Sequence, residues 1–233
     1  MQKNKSKGKL IVIDGIDGAG KATQTKLLIK KLNEKGFLTA TLDFPQYYNN
    51  FFGKMIGRFL NGEFGNAPET NPYLASVLYA ADRWESGKKI EKWLKDGRIV
   101  ILDRYASSNQ IHQGGKISDL KKKKKFLNWL EEMEFGVFKI PKPDAILFLN
   151  VPYEISKVLL KKKNSRGYVK NGKNDKVEKS RTYQQSSYQQ SLDLIKKHNN
   201  WFEISCVRNC ELLTPEDVSG LVWNNIKKIL SKK

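Results

Sequence analysis

Residues 9–24 read KLIVIDGIDGAGKATQ, and this stretch constrains the fold more than any other. KLIVID is a short apolar, β-branched run that ends in a glycine loop, which is the pattern of a buried strand. KATQTKLLIKKLNEKG follows at once, with Leu27, Leu28 and Leu32 at helical spacing and Gly36 as a stop. The loop between them, GIDGAGK, fits GxxxxGK in the strand–helix setting that a phosphate-binding loop requires. Its glycines let backbone amides turn inward as a nest for phosphate oxygens. The first helical turn adds free amides and the positive end of the helix dipole. A nucleoside triphosphate is therefore expected on Gly15, Ile16, Asp17, Gly18, Ala19, Gly20, Lys21, Ala22 and Thr23, with Lys21 reaching its terminal phosphates. Ala22 stands where a Ser or Thr hydroxyl usually touches magnesium. Magnesium must then be held by water, nucleotide oxygens and another acid.

Four more runs read as strands: LTATLDFP (38–45), RIVILD (98–103), DAILFLN (144–150) and WFEIS (201–205). Helical patterns lie between and after them. LASVLYAADRWESGKKIEKWLKDG fits one or two helices stopped at Gly97, and FLNWLEEMEFGVF, EISKVLLKKK and PEDVSGLVWNNIKKIL fit others. The last opens with Thr214 as a cap, Pro215 in the first turn, and acids after it. Strands alternating with helices imply a parallel sheet covered on both faces. The expected fold is α/β: a P-loop NTPase-type parallel sheet of about five strands with helices on both faces, in one domain over residues 1–233. Ligands of such sheets gather at the carboxyl ends of the strands, which makes Asp103, closing RIVILD, the acid expected at the metal. NSRGYVKNGKNDKVEKSR (164–181) is polar, rich in Gly and Asn, and too poor in apolar residues to bury much. Its length and its arginines suggest a mobile lid over about residues 161–181.

The formal charge of +19 and the pI near 9.8 raise the question of nucleic acid. The lysines are scattered along the chain, with dense runs only at 121–125 and 161–163, and no aromatic residues interleave with those runs as base stacking would need. The expectation is no nucleic-acid partner and an anionic small substrate, whose local concentration the charge raises. No apolar run approaches the length that spans a bilayer, and the basic start lacks the apolar core and cleavage site of a signal peptide. The expectation is no membrane and a cytoplasmic location. The two cysteines, Cys206 and Cys210, read as ordinary free thiols, because a zinc site wants four ligands and the only histidines are His112 and His198.

At the level of whole motifs the chain resembles the thymidylate kinases. The matching pieces are GIDGAGKATQ, DFPQY (43–47), GEFG (62–65), LYAADRWE (78–85) and DRYASSNQIHQGG (103–115), in the family's order and over most of the chain. Other nucleoside monophosphate kinases share the loop but not the rest of this set. The resemblance implies transfer of the γ-phosphoryl group of ATP to thymidine 5′-monophosphate (dTMP), with Mg2+, and a homodimeric assembly. The aromatic-rich helices around Trp84 and Trp93 would supply its apolar face, or else belong to the core.

The same resemblance implies roles for single residues. Asp17 would bind the sugar 3′-hydroxyl; a lone carboxylate in a loop built for anions also calls for a hydroxyl or arginine partner. Tyr79 would stack on thymine and Arg83, four residues on along one helix face, would donate to its O4. Phe44, Pro45 and Tyr47 would wall the base and sugar, and Arg104 would grip the acceptor phosphate. Ser108, Asn109 and Gln110 fall in the stretch that reads the remaining base edge, and His112 stands near the sugar 2′ position, where many members carry Tyr. Gly18 occupies a position that is basic in some members, so a lid arginine is expected as the catalytic finger, Arg166 before Arg181. Such a finger is commonly worth about 10³-fold or more in rate. With Lys21, Asp103 and Arg104 it completes the expected catalytic set. Gln46 departs from the family, whose closer members often show Arg there. Two alternatives stand beside this reading: a related P-loop kinase for another nucleotide or a deoxynucleoside, and a nucleotide-binding module without phosphoryl transfer, favoured by Ala22 and the charge.

Overall fold

The computed structural model describes residues 8–156, 181–209 and 211–231, with Arg181 described by its backbone alone. Five strands form one sheet: β1 (Lys9–Asp14), β2 (Thr39–Asp43), β3 (Ile99–Asp103), β4 (Ala145–Asn150) and β5 (Trp201–Ser205). Their spatial order is β2-β3-β1-β4-β5, and every pairing is parallel. A parallel sheet needs crossovers, and the helices that supply them bury both of its faces. The alternation of side chains along the strands assigns two cores. Ile11, Ile13, Ile101, Leu147 and Leu149 pack against α1 (Lys21–Glu34) and α7 (Pro215–Ser231) through Leu28, Leu32, Val222 and Ile226. Leu10, Val12, Val100, Leu102, Ile146 and Phe148 face the other way, against Ile90 of α3 (Pro72–Lys95), Ile111 of α4 (Ala106–His112) and Leu194 of α6 (Arg181–Lys197). Each such fully buried aliphatic side chain contributes about 2 kcal/mol of hydrophobic free energy.

The run 72–95 is one continuous helix of 24 residues, entered through Pro72 with the Asn71 side chain accepting from the Tyr73 amide. α7 opens on a reciprocal cap: the Asp217 amide donates to Thr214 Oγ1 at 3.1 Å, and that hydroxyl donates to the Asp217 carboxylate at 2.7 Å. The run 126–138 divides. α5 (Leu120–Glu131) ends and a π-helical turn, Glu132–Val137, carries the chain on. The lysine run 121–125 lies within α5, whose first turn is capped by Asp119. Three helices are additional to those expected. α2 (Phe51–Leu60) contains Gly53 and Gly57, which lower helix propensity. Gly53 is nonetheless required, because a Cβ there would lie 2.0 Å from the Gln46 carbonyl oxygen. α4 is only seven residues long, and α6 is polar enough to read as loop. A two-stranded hairpin, β6 (Val207–Arg208) with β7 (Glu211–Leu212), precedes α7. Of the run 154–163 only 154–156 are described, and the expected lid and Arg166 lie outside the described residues.

The register gathers acids at the carboxyl end of the sheet. Asp103 lies opposite Asp43 on one side and Ile13 on the other, and Asp14 closes the central strand. The phosphate loop leaves from that point.

Candidate active site

The loop after β1 has the geometry that its glycines predict. Gly18 and Gly20 take φ of 83° and 84°, which favours glycine because a side chain is strained there. At Gly20, which caps α1, a Cβ would meet no atom within 4 Å, so the backbone conformation and not space is what demands glycine. Lys21 is 8% exposed, and its ammonium donates to the carbonyls of Gly15 and Ile16, both at 3.0 Å. Burial, and then the neighbouring Arg104, push its pKa down to about 8. A bound phosphate would favour its charged form and accept its hydrogen bonds in place of the two carbonyls. Ala22 and Thr23 are exposed on α1.

Arg104 follows β3 with φ of 67°, a left-handed conformation unfavourable for a side chain of this size. Such a residue persists where surrounding contacts over-determine it, and these cluster at functional sites. Here its amide donates to the Ile13 carbonyl at 3.0 Å, extending the β1–β3 pairing. Its guanidinium bonds to Asp17 through Nη2 and to His112 Nε2 through Nη1 at 3.0 Å, with the Asp14 carboxylate 3.9 Å away. Asp17 thus has the arginine partner that a carboxylate in an anion loop calls for. Arginine has no acceptor, so His112 Nε2 must accept and its proton sits on Nδ1. Burial, reinforced by Arg104, lowers the His112 pKa to about 4, which keeps the ring neutral. The ring stacks on Tyr183 of α6, centroids 6.0 Å apart.

Asp14 was not among the expected site residues, although an acid closing the central strand was a signal for it. It is fully buried and accepts from the Gly15 amide at 2.8 Å, from Ser107 Oγ at 2.6 Å and from Ser108 Oγ at 2.8 Å. The Ser108 hydroxyl, expected near the base, therefore serves this carboxylate. Asp103 is different. Among the described residues its carboxylate accepts no hydrogen bond, and burial raises its pKa against the opposing pull of Lys21 and Arg104. A half-buried carboxylate without donors, close to two cations at the strand end, fits one oxygen ligand of a Mg2+ ion otherwise held by phosphate and water. No group of three or more His, Cys, Asp or Glu side chains placed to hold a metal ion occurs among the described residues.

The DFPQY segment is fixed to α3. Asp82 accepts from the Gln46 amide at 3.2 Å, and Glu85 accepts from the amides of Phe51 and Phe52 at 3.2 and 2.8 Å, holding the start of α2. The Gln46 side chain turns back to Asp43 Oδ1 at 3.0 Å and to the Asn49 amide at 3.1 Å, so it offers no substitute for an arginine. Phe44 is buried against Tyr105, ring centroids 5.8 Å apart, and is joined to Pro45 by a cis peptide; Tyr47 and Tyr79 are half-buried. Arg83 is 2% exposed, and its Nε and Nη2 both bond Glu134 of the π-helical turn. Asn109 is equally buried and donates to Glu134 Oε1 at 3.1 Å and to the Ser76 carbonyl at 3.2 Å. Gln110 is half-buried. Glu134, Asp82 and Glu85 were not singled out in the sequence; Glu134 was one of several acids in EEMEF, with nothing to set it apart. Cys206 is a buried free thiol, pushed up to about 12, and Cys210 lies outside the described residues. No helix among the described residues is long and apolar enough to cross a membrane.

A phosphate loop, an arginine joining it to the end of β3, and an Arg–Glu–Asn cluster beside α3 are thus what the fold brings together here. The family model described as thymidylate kinase matches residues 13–216. The thymidylate kinase of Plasmodium falciparum is 34% identical over 152 residues, 65% of this chain and 66% of that protein. The human thymidylate kinase is 31% identical over 145 residues, 62% of each. The chain thus spans somewhat under two thirds of the length of these relatives. A solved thymidylate kinase structure from Candida albicans superposes with a TM-score of 0.72 at 25% identity over 95% of this chain and 92% of that one. With its family match running from the phosphate loop to the start of the last helix, the chain belongs to the thymidylate kinase family.

Proposed function

We propose that this protein transfers the γ-phosphoryl group of ATP to dTMP, giving dTDP and ADP. The observation that carries the reading is Arg104, held in a left-handed backbone between Asp17 of the phosphate loop and His112. That position stands between a triphosphate on the loop and an acceptor under α3. Lys21 moves from the Gly15 and Ile16 carbonyls to the phosphates. Arg104 grips the acceptor phosphate, while Asp17 takes the sugar 3′-hydroxyl. An acceptor oxygen then forms a bond to the γ-phosphorus as the bond to the β-phosphate oxygen breaks, and ADP leaves. The acceptor phosphate is largely dianionic at pH 7, so no general base is needed. Catalysis rests on positioning and charge neutralisation. Asp103 would hold a Mg2+ ion, which would supply neutralisation of the charge that develops on the phosphates.

Tyr79 stacks on the base, Arg83 and Asn109 read its edge, and Phe44, Pro45 and Tyr47 wall the slot beside His112. Arg166 supplies the finger: Arg166→Ala is expected to lower kcat about 10³-fold while dTMP affinity holds, and equal losses in both would remove that role. The protein acts as a homodimer in the cytoplasm. Leu74, Val77 and Trp84, exposed by 69, 41 and 53%, lie along one stripe of α3 and give the apolar face for pairing. A monomer in sedimentation velocity at micromolar concentration would reject it.

The deciding experiment is coupled ADP release with dTMP as the variable acceptor. Saturable, dTMP-dependent turnover is expected. ADP release that is independent of acceptor, or faster turnover with uridine or cytidine monophosphates, would overturn the assignment.

A further inference from the structure

Glu134 has no place in the reaction as drawn, yet among the described residues it is the one carboxylate bonded to both side chains proposed to read the base. It is fully buried, in the π-helical turn Glu132–Val137, a local irregularity that often marks functional sites. We infer that Glu134 is the positioning residue that writes the thymine code of the acceptor slot, by fixing which atoms of Arg83 and Asn109 remain for the base. The inference rests on the proposed dTMP reading and deepens it.

The argument is one of donor and acceptor inventory. The Asn109 amide has two donor protons on nitrogen and an acceptor oxygen. Its nitrogen faces the Ser76 carbonyl and Glu134 Oε1, and both of these only accept. The reversed amide would set oxygen against oxygen twice, so Glu134 and Ser76 leave Oδ1 as the atom available to a ligand. Arg83 gives Nε and Nη2 to Glu134, which leaves Nη1, a donor. Among the described residues neither Asn109 Oδ1 nor Arg83 Nη1 has a hydrogen-bond partner. The slot therefore offers an acceptor from Asn109 and a donor group from Arg83, both side chains being held on Glu134. Thymine shows the complement, N3–H as donor and O4 as acceptor. Cytosine shows N3 as acceptor and an N4 amino donor, so both contacts would be mismatched. A buried site that leaves polar groups unpaired rejects the wrong ligand far more strongly than a shape mismatch does. Uracil has the same edge as thymine, so this code does not separate those two.

Glu134→Gln keeps shape and removes both the charge and the acceptor-only character. One carboxamide cannot accept from Arg83 twice and from Asn109, so the Asn109 amide becomes free to turn. For a folded Glu134→Gln, measured by circular dichroism and thermal melting, we expect the dTMP KM to rise about tenfold or more, kcat to change less than about threefold, the ATP KM to hold, and the preference for dTMP over dCMP to fall about tenfold or more. Glu134→Asp keeps the buried charge balanced and withdraws the carboxylate by one methylene. It guards against failure of the first variant to fold, and the same shifts at smaller amplitude are expected from it. Either folded variant retaining the wild-type dTMP KM and dTMP-to-dCMP ratio within about twofold would overturn the inference. A uniform fall of kcat for every acceptor with the ratio unchanged would also overturn it, since that is the mark of a merely structural residue. Wild-type protein inactive on dTMP would instead sink the proposed function, so the two failures are distinguishable.

Discussion

Replacing Lys21 with alanine is expected to lower kcat by about 10²- to 10³-fold or more, with the fold retained. The ammonium is buried at the mouth of α1 and donates to the Gly15 and Ile16 carbonyls. These are weak partners for a full charge, and burial has already brought its pKa down to about 8. Removing it therefore relieves a desolvation cost in the free protein, and the melting temperature should move little. The loss falls on the transition state, where charge gathers on the oxygens that the ammonium would neutralise. A second measurement follows from the same pKa. The pH dependence of kcat/KM reports groups of the free enzyme, whereas kcat reports those of the complex. Lys21 is charged below about pH 8 and neutral above it, so kcat/KM for ATP should decline as pH rises through that value. Bound phosphates favour the charged form and shift the decline in kcat to higher pH. A Lys21→Ala protein with wild-type kcat, or one that fails to fold, would remove the loop lysine from this role.

The strand–loop–helix opening was legible because every local signal agreed: a β-branched run, glycines where φ is positive, and leucines at helical spacing. The same consistency placed the other four strands within two residues of their ends, the largest difference being β2, expected to run to Pro45 and ending at Asp43. What the periodicity did not show was α2 and α6. In α2, Gly53 argues against helix by propensity, but it is there so that the helix can lie on the Gln46 backbone, a tertiary demand that no local window contains. α6 carries QQSSYQQS, which has little apolar periodicity, and is held by contacts with other elements, such as Leu194 in the second core and Tyr183 on His112. The site divides in the same way. Lys21, Asp103 and Arg104 lie at strand and loop ends, where topology gathers ligands, and could be named from position. Asp82, Glu85 and Glu134 act on other protein groups and not on a nucleotide. Their partners are 25, 33, 36 and 51 residues away in sequence, and so only the folded chain reveals them. Asp17 lay between these cases: its charge in an anion loop predicted a partner, and Arg104 is that partner.

Arg104 offers a test that separates backbone strain from chemistry at one position. Arg104→Ala removes the guanidinium but keeps a Cβ at φ of 67°, whereas Arg104→Gly removes both. Both variants are expected to lose about 10²- to 10³-fold in kcat/KM for dTMP, because each loses the two-pronged grip on the acceptor phosphate. Their stabilities should differ. A non-glycine residue in the left-handed region costs about 1 kcal/mol, which for a domain of this size is about 2–4 °C in melting temperature, glycine above alanine. Arg104→Lys should restore little activity, because an ammonium cannot hold Asp17 and His112 at once as the planar fork does. Losing Arg104 also removes the positive charge that balances Asp17 within the phosphate loop, so ATP affinity should fall as well. Asp17→Asn added to Arg104→Ala should recover part of that affinity without recovering turnover. If Arg104→Gly retained wild-type activity, the residue would be there for its turn alone. The site between the phosphate loop and α3 would then need a different cation to bring two nucleotides end to end.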